Sequence, residues 1–186
     1  MSLNSWQETL VTAQVDGTAH TTAAALSIIP AAAAYTLPTN YFSIGKQLLI
    51  KATGRFSTVV TTPGTFRFDV RFGGTVVFDS QAIALATADA YTNQSWELEI
   101  LMTCRAIGTG TATTMFGQGH LACMNLAGSP ATPPKGGLVA ALPWNTAPAV
   151  GTGVDCTATQ KVDLFFTQTV ATHSVTLHQY SLIAMN

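Results

Sequence analysis

The chain has 186 residues and a formal net charge of −1, and 9% of its residues are charged while 47% are apolar. Because nucleic acids and acidic membranes need clustered Lys and Arg, this balance argues against both as partners. A monomer with so few charged residues would have a poorly solvated surface. We therefore expect association with further copies or with another protein. The length fits one domain, 1–186, with residues 1–20 as a candidate N-terminal arm.

The first elements of the chain are predicted to be extended. A weak alternation predicts a strand over Leu3–Val15 that ends at the turn signal Asp16-Gly17. Residues 20–42 contain β-branched pairs and two prolines, which favour a strand and a loop, with at most one helical turn at Ala32–Ala34. The opening residues have no basic stretch followed by an apolar run, and Pro30 interrupts the Ala-rich segment, so we expect a cytosol-like compartment.

The clearest signal is the hairpin Gly64–Ser80. Four apolar side chains alternate with polar ones over Thr65–Phe72, which is the period of a half-buried strand. Gly73-Gly74 is predicted to supply two positive-φ turn positions before Thr75–Phe78 returns as the partner strand. An alternating strand over 46–57 precedes the hairpin, so the sequence predicts a three-stranded meander.

The second strong signal is a long strand over Ser95–Ile107, with Trp96 and every second residue after it on one face. A hairpin centred on Thr109 would place Cys104 opposite Thr114 and Cys123 opposite Ser95. Gly117 and Gly119 in the returning strand suggest a bulge or a bend.

The longest irregular stretch is predicted from Ala127 to Gly153, and it contains five of the eight prolines. Long loops are usually functional, so it is the first candidate for a partner surface. Two strands follow, over 160–170 and 173–185, with a turn at Ala171-Thr172. In total eight or nine strands and no helix of ten residues predict an all-β fold with antiparallel strands.

Candidate metal and catalytic groups do not converge in the sequence. The histidines are His20, His120, His173 and His178, and the last two face opposite sides of one strand. Glu97 and Glu99 share a face, but a solvated strand is the favoured interpretation over an acid–base pair. We therefore expect no enzyme activity, no metal and no cofactor. Cys104, Cys123 and Cys156 are an odd number without CxxC spacing, which predicts buried reduced thiols.

Basic and aromatic residues have ordinary structural explanations. Lys51, Arg55, Arg67 and Arg71 are predicted on neighbouring strands and could form a small positive stripe, but a solvated sheet face is favoured. Trp96 is in phase with the core. Trp144 lies in the proline-rich loop and is a plausible contact aromatic.

Four segments resemble structural proteins of tailed bacteriophages. They are LPTNYFSIGKQLLIKATGRFS, TPGTFRFDVRFGGTVVFDS, SWELEILMTCRAIG and HSVTLHQYSLIAMN, and the resemblance runs from Trp6 to the C-terminus. It implies a jelly-roll β-sandwich of about eight strands in two sheets, used for capsid decoration or for tail and fibre parts and often trimeric. It also implies a virion location and contact with the major capsid protein or other virion proteins, without catalytic residues.

The expected interface residues are Trp144, Pro143, Pro133, Pro134 and Trp6. Two alternatives stay open. A carbohydrate-binding or receptor-binding jelly roll would place Trp144 and Tyr91 on one concave face, and a cupin-like enzyme would bring histidines and a Glu together. In a jelly roll the last strand, within 173–186, should pair with the N-terminal third of the chain.

Overall fold

Two antiparallel sheets form the fold in a computed structural model, which describes residues 6–87, 90–124, 126 and 138–185. Sheet A contains, in spatial order, β1 (Gln7–Thr12), β13 (Ser174–Met185), β4 (Gln47–Thr58), β8 (Tyr91–Ala106), β9 (Thr113–Cys123) and β10 (Leu138–Leu142), and β11 (Val150–Val154) also pairs with β9. Sheet B contains β2 (Leu26–Ser27), β12 (Gln160–Gln168), β5 (Thr65–Phe72) and β6 (Thr75–Asp79), with β3 (Tyr35–Leu37) on β12 and β7 (Ile83–Ala84) on β5. A single 3-10 turn spans Ala31–Ala33.

The order of the strands is that of a jelly roll, which confirms the predicted all-β sandwich. The chain alternates between the sheets: β1 in A, β2 and β3 in B, β4 in A, β5 to β7 in B, β8 in A, β12 in B and β13 in A. The last strand lies between β1 and β4, as predicted. Strands β9, β10 and β11 are an addition between β8 and β12 that extends sheet A beyond the eight usual positions.

The core lies between the sheets and follows the predicted alternation. Leu48, Ile50 and Ala52 of β4 are buried, and so are the four apolar residues of β5. Aromatic rings bridge the sheets, since Phe68 lies 5.4 Å from Trp96 between ring centroids. Each large side chain buried in this way contributes about 1.5–3 kcal/mol.

The predicted meander is wrong, because β4 belongs to sheet A and β5 to sheet B. The segment between them contains two positive-φ positions, Thr61 and Gly64, and it carries the chain across the end of the sandwich. The apolar faces of β4 and β5 therefore meet across the core. The hairpin β5–β6 is confirmed, although Gly73 has a positive φ of 65° and Gly74 does not.

The register of β8 and β9 also differs from the prediction. Cys104 pairs with Met115 and Cys123 pairs with Trp96, one residue away from the expected partners. The turn is centred one residue later than expected, since Ala106 pairs with Thr114, and an irregularity between Cys104 and Ala106 then shifts the register by one residue.

No bulge occurs at Gly117 or Gly119, where the pairing with β8 is regular. Both glycines instead permit close approach. A Cβ at Gly119 would lie 2.0 Å from the carbonyl oxygen of Glu99, and one at Gly117 would lie 2.6 Å from the ring of Phe78. Both positions therefore require glycine, because the neighbouring strand and ring leave no space for a side chain.

The stretch predicted as irregular contains β10 and most of β11. Its residues 127–137 lie outside the described residues. Strand β10 pairs with β9 over its whole length, because its alternating side chains match the pleat of the sheet. Strand β11 approaches β6 so closely that a Cβ at Gly151 would lie 2.0 Å from the carbonyl oxygen of Val77. It thus covers an edge of sheet B.

Candidate functional surfaces

A groove of about 640 Å³ crosses the outer face of sheet A and is called the sheet A groove. It runs over five strands, from β13 through β4, β8 and β9 to β10. Its polar lining residues are Thr53, Gln94, Ser95, Glu97, His178 and Gln179. The exposed side chains of Met124 and Val139 lie at one end. Hydroxyl, amide, carboxylate and imidazole groups therefore share one groove with an apolar end.

The floor of the sheet A groove depends on Gly54 and Trp96, which are paired across β4 and β8. The absence of a side chain at Gly54 leaves room for the indole, whose N–H donates to the carbonyl oxygen of Arg55 at 3.2 Å. Trp96 is 4% exposed, which confirms its predicted place in the core. It offers little aromatic surface to a ligand in this groove.

The carboxylates of Glu97 and Glu99 do share the outer face. Glu99 forms an ion pair with Lys51 at 2.9 Å, and this hydrogen bond raises the pKa of the lysine. Glu97 lines the sheet A groove and is exposed. The two acids thus have different surroundings, one beside a cation and one at the groove.

A second groove of about 230 Å³ lies where β11 meets β6 and is called the seam groove. The predicted interface residue Pro143 lines it, together with the exposed side chains of Val76 and Val150. Trp144 follows, with its backbone N–H donating to the carbonyl oxygen of Ser80 at 2.7 Å and its side chain packed against the core.

The predicted interface residues do not form one surface. Pro143 follows β10 at one edge of sheet A, whereas Trp6 precedes β1 at the opposite edge and is 48% exposed. Pro133 and Pro134 lie outside the described residues. Tyr91 lies near Phe56, at 6.5 Å between ring centroids, and neither Tyr91 nor Trp144 lines either of the two grooves.

The four basic residues predicted on neighbouring strands do not lie on neighbouring strands, and they form no common stripe. Lys51 and Arg55 are on β4 in sheet A, and Arg67 and Arg71 are on β5 in sheet B. The cause is the crossing between β4 and β5, which places the pairs on opposite faces of the sandwich. On sheet B the cations are matched by acids in the pairs Arg67–Asp79, Arg71–Asp69 and Lys161–Asp163. Arg67–Asp79 is a partly exposed pair and contributes little to stability, whereas the carboxylates of Asp69 and Asp163 are buried.

The four histidines divide between the outer surface and the interior. His120 is on the outer face opposite Glu99, and Nδ1 of His178 lies 2.9 Å from Asp16. His20 and His173 are buried. Within residues 6–87, 90–124, 126 and 138–185, no group of three His, Cys, Asp or Glu side chains is placed to hold a metal ion. No helix in the same part of the chain is long and apolar enough to cross a bilayer.

The three cysteines are buried thiols, as predicted. Burial raises the pKa of Cys104, and the neighbouring Cys156 adds to the effect. Because the thiolate is the reactive form, thiol reagents should label the native protein slowly and all three residues rapidly in denaturant. Mass spectrometry of the labelled protein checks this, and rapid native labelling of Cys104 would contradict the burial of β8.

Solved structures include a weakly similar phage protein module. No protein-family model matches the sequence, and no curated protein does. The CBM2 module of the evolved Dit of Lactobacillus casei BL23 phage J-1 has 11% identity and a TM-score of 0.28, over 82% of this chain and 68% of that chain. The similarity is too weak to assign a fold or a function.

The groove residues could not be identified from the sequence. Thr53, Glu97 and Gln179 come from strands far apart in the chain, and each has the pattern of an ordinary outward-facing polar residue. Only the order β13–β4–β8 places them in one row. The structure adds one further indication of a binding surface, because Val139 is an apolar residue that faces outward on an edge strand.

Proposed function

We propose that the protein is a non-enzymatic structural component of a bacteriophage virion, and specifically a capsid decoration protein that assembles as a trimer on the head. A tail, fibre or receptor-binding component is the alternative within the same class. Support comes from the jelly-roll strand order and from the sequence segments that resemble tailed-phage structural proteins. Low charge fits a protein whose surface is covered by neighbours.

The observation that carries the proposal is the uncharged addition to sheet A. Strand β10 has the sequence LVAAL, and its outward-facing Val139 is 68% exposed. Met124, at the end of the neighbouring strand β9, is 40% exposed. Edge strands of isolated domains usually carry charges or prolines that prevent association. An apolar edge strand is therefore better suited to a protein that is covered on assembly.

Self-association is the first expected outcome. Light scattering coupled to size exclusion at micromolar concentration should give a mass of three chains. A closed symmetric assembly covers the apolar edge strand of every chain. The variant Val139→Lys should weaken the assembly, while Leu101→Lys, a change at another exposed apolar residue on the same sheet, serves as the control. A single-chain mass that persists on concentration would contradict the trimer.

The location on the particle needs a separate experiment. Immunogold labelling of virions, with an antibody against this chain, should mark the head and its major capsid protein lattice. Labelling of the tail would favour the tail alternative, and unlabelled particles would contradict the virion proposal. Neighbouring capsid genes or tail genes in the phage genome provide an independent test of the same choice.

Carbohydrate binding is a second candidate function, favoured by the lining of the sheet A groove. Its hydroxyl and amide groups can exchange hydrogen bonds with a neutral sugar, and its volume is within the range of small-ligand sites. Glycan-array binding that is lost in Gln179→Ala but kept in Gln118→Ala, on the same sheet outside the groove, would support this function. Absence of binding to the array would leave only the structural role.

A further inference from the structure

A cluster of buried polar side chains lies at one end of the sandwich and is called the histidine cluster. It consists of His20, Gln168 and His173, which are 4%, 1% and 1% exposed. His20 follows β1, Gln168 ends β12, and His173 immediately precedes β13. The cluster therefore joins residues from both sheets and from the N-terminal part of the chain.

Four polar atoms of the histidine cluster have no hydrogen-bond partner in the described structure. Nε2 of His20 donates to the carbonyl oxygen of Ala24 at 2.8 Å, which leaves its Nδ1 unpaired. Both ring nitrogens of His173 are unpaired. Gln168 uses its Nε2 to donate to the carbonyl oxygen of His173 at 3.2 Å, and its Oε1 is unpaired. Such buried polar atoms cost stability even when neutral.

The surroundings of the two imidazoles are aromatic. The ring of His20 meets Phe166 edge-on at 5.2 Å, Phe166 lies 5.0 Å from Phe66, and Phe66 meets His173 edge-on at 5.9 Å between centroids. Burial lowers the pKa of His173, with no contribution from a charged neighbour. An added proton would thus bring a charge into a row of apolar rings.

The charged groups on the surrounding elements are paired or lie on an outer face. They are Asp16, which pairs with His178 of β13, Lys51 of β4 with Glu99, Arg55 on the outer face of β4, Arg67 and Arg71 of β5 with Asp79 and Asp69, and Lys161 of β12 with Asp163. The tyrosines on these elements are Tyr91 of β8 and Tyr180 of β13, and burial raises the pKa of Tyr180. Compensation for a buried imidazolium is therefore lacking among the described neighbours.

The histidine cluster lies where the crossover, residues 13–28, attaches to both sheets. Backbone N–H groups of Gly17 and His20 donate to the carbonyl oxygens of Leu177 and Val175, both at 2.8 Å. Val175 donates back to His20 at 3.1 Å, and Ile28 donates to Leu164 of β12 at 3.0 Å. Displacement of the imidazoles would therefore disturb the backbone hydrogen bonds that hold the crossover to β13.

We propose that the histidine cluster is an acid-sensitive latch, in which protonation of His173 detaches the crossover from the start of β13 while the rest of the sandwich stays folded. An imidazolium has two N–H donors, and both ring nitrogens of His173 lack a described acceptor. In the opened segment His173 regains the ordinary affinity for protons, near pH 6.5. The open form then binds more protons than the closed form, so closure is fully stable above about pH 6.5 and weakens as the pH falls.

Hydrogen exchange followed by mass spectrometry tests the latch, with exchange times scaled for the intrinsic pH dependence of amide exchange. Between about pH 7.5 and pH 5, protection of the amides at 17–28 and 174–177 should fall about tenfold, which corresponds to about 1.4 kcal/mol in the free energy of opening. The centre of β8 should keep its protection. The double variant His20→Gln, His173→Met should lose this local pH dependence, and His120→Gln, an outer-face histidine, should behave as the parent protein.

Three results would overturn the proposal: unchanged protection at 17–28 on acidification, a uniform loss across the whole chain, or the same local loss in the double variant. If the double variant does not fold, an NMR titration of the histidine rings in the parent protein decides. His173 should titrate below pH 6.5, together with the loss of protection. Titration of His173 at or above that pH would contradict the latch.

Discussion

Removal of residues 173–186 should yield insoluble or unfolded protein. The deletion takes away β13, which lies between β1 and β4 and pairs with both. Val175, Leu177 and Leu182 are buried on this strand, and each contributes about 1.5–3 kcal/mol. Their combined loss approaches the whole net stability of a domain, about 5–15 kcal/mol. Soluble yield and circular dichroism of the truncated chain measure the effect.

Substitutions on β13 provide the control for this deletion. Leu182→Ala removes a fully buried side chain and should cost about 2–5 kcal/mol in urea unfolding. Ser181→Ala, at the next position and facing outward, should change the free energy of unfolding by about 0.5 kcal/mol or less. A truncated chain that is soluble and melts at an unchanged temperature would contradict the central position of β13.

A methyl group at Gly54 should destabilise the protein by about 3 kcal/mol or more. The new Cβ would lie 2.0 Å from the carbonyl oxygen of Thr176 and 2.9 Å from two atoms of the Trp96 indole. Relief requires movement of β13 or of the indole, and the indole N–H would then lose the carbonyl oxygen of Arg55. The Gly54→Ala protein should therefore unfold at a lower urea concentration.

Gly74→Ala is the matched control for this substitution. Nothing lies within 4 Å of a Cβ at Gly74, and its φ is not positive. The alanine should be neutral, or stabilising by up to about 1 kcal/mol because it restricts the unfolded chain. Equal unfolding midpoints for the two variants would show that the backbone at Gly54 adapts without strain, contrary to the close packing described above.

The alternation of side chains was a reliable guide along β5 and along β8 from Trp96 to Cys104, where one face of the strand is buried. Phe66, Phe68, Val70 and Phe72 of β5 and the inward-facing residues from Trp96 to Cys104 of β8 are all buried, as the pattern predicted. A period of two determines which residues share a face, because successive side chains of a strand point to opposite sides. The same pattern says nothing about which strand lies alongside.

Pairing and register were the parts that needed the tertiary structure. The register of β8 and β9 depends on a local irregularity beside their turn, which has no signature in the residue pattern. Strand β10 was missed because the prolines around it indicate a loop, whereas its five residues pair with β9 throughout. The sheet A groove was missed because it exists only once β13, β4, β8, β9 and β10 lie side by side.

The sequence by itself determined that this protein is all-β and that its cysteines are buried thiols. The tertiary structure alone decided that β4 and β5 face each other from different sheets, that the four basic residues named from the sequence divide between two surfaces, and that His20 and His173 are buried at the crossover. The physical reason is that the alternation of side chains within one strand determines which of its residues are buried. Partner choice depends on how all the strands together exclude water, which is a property of the whole chain.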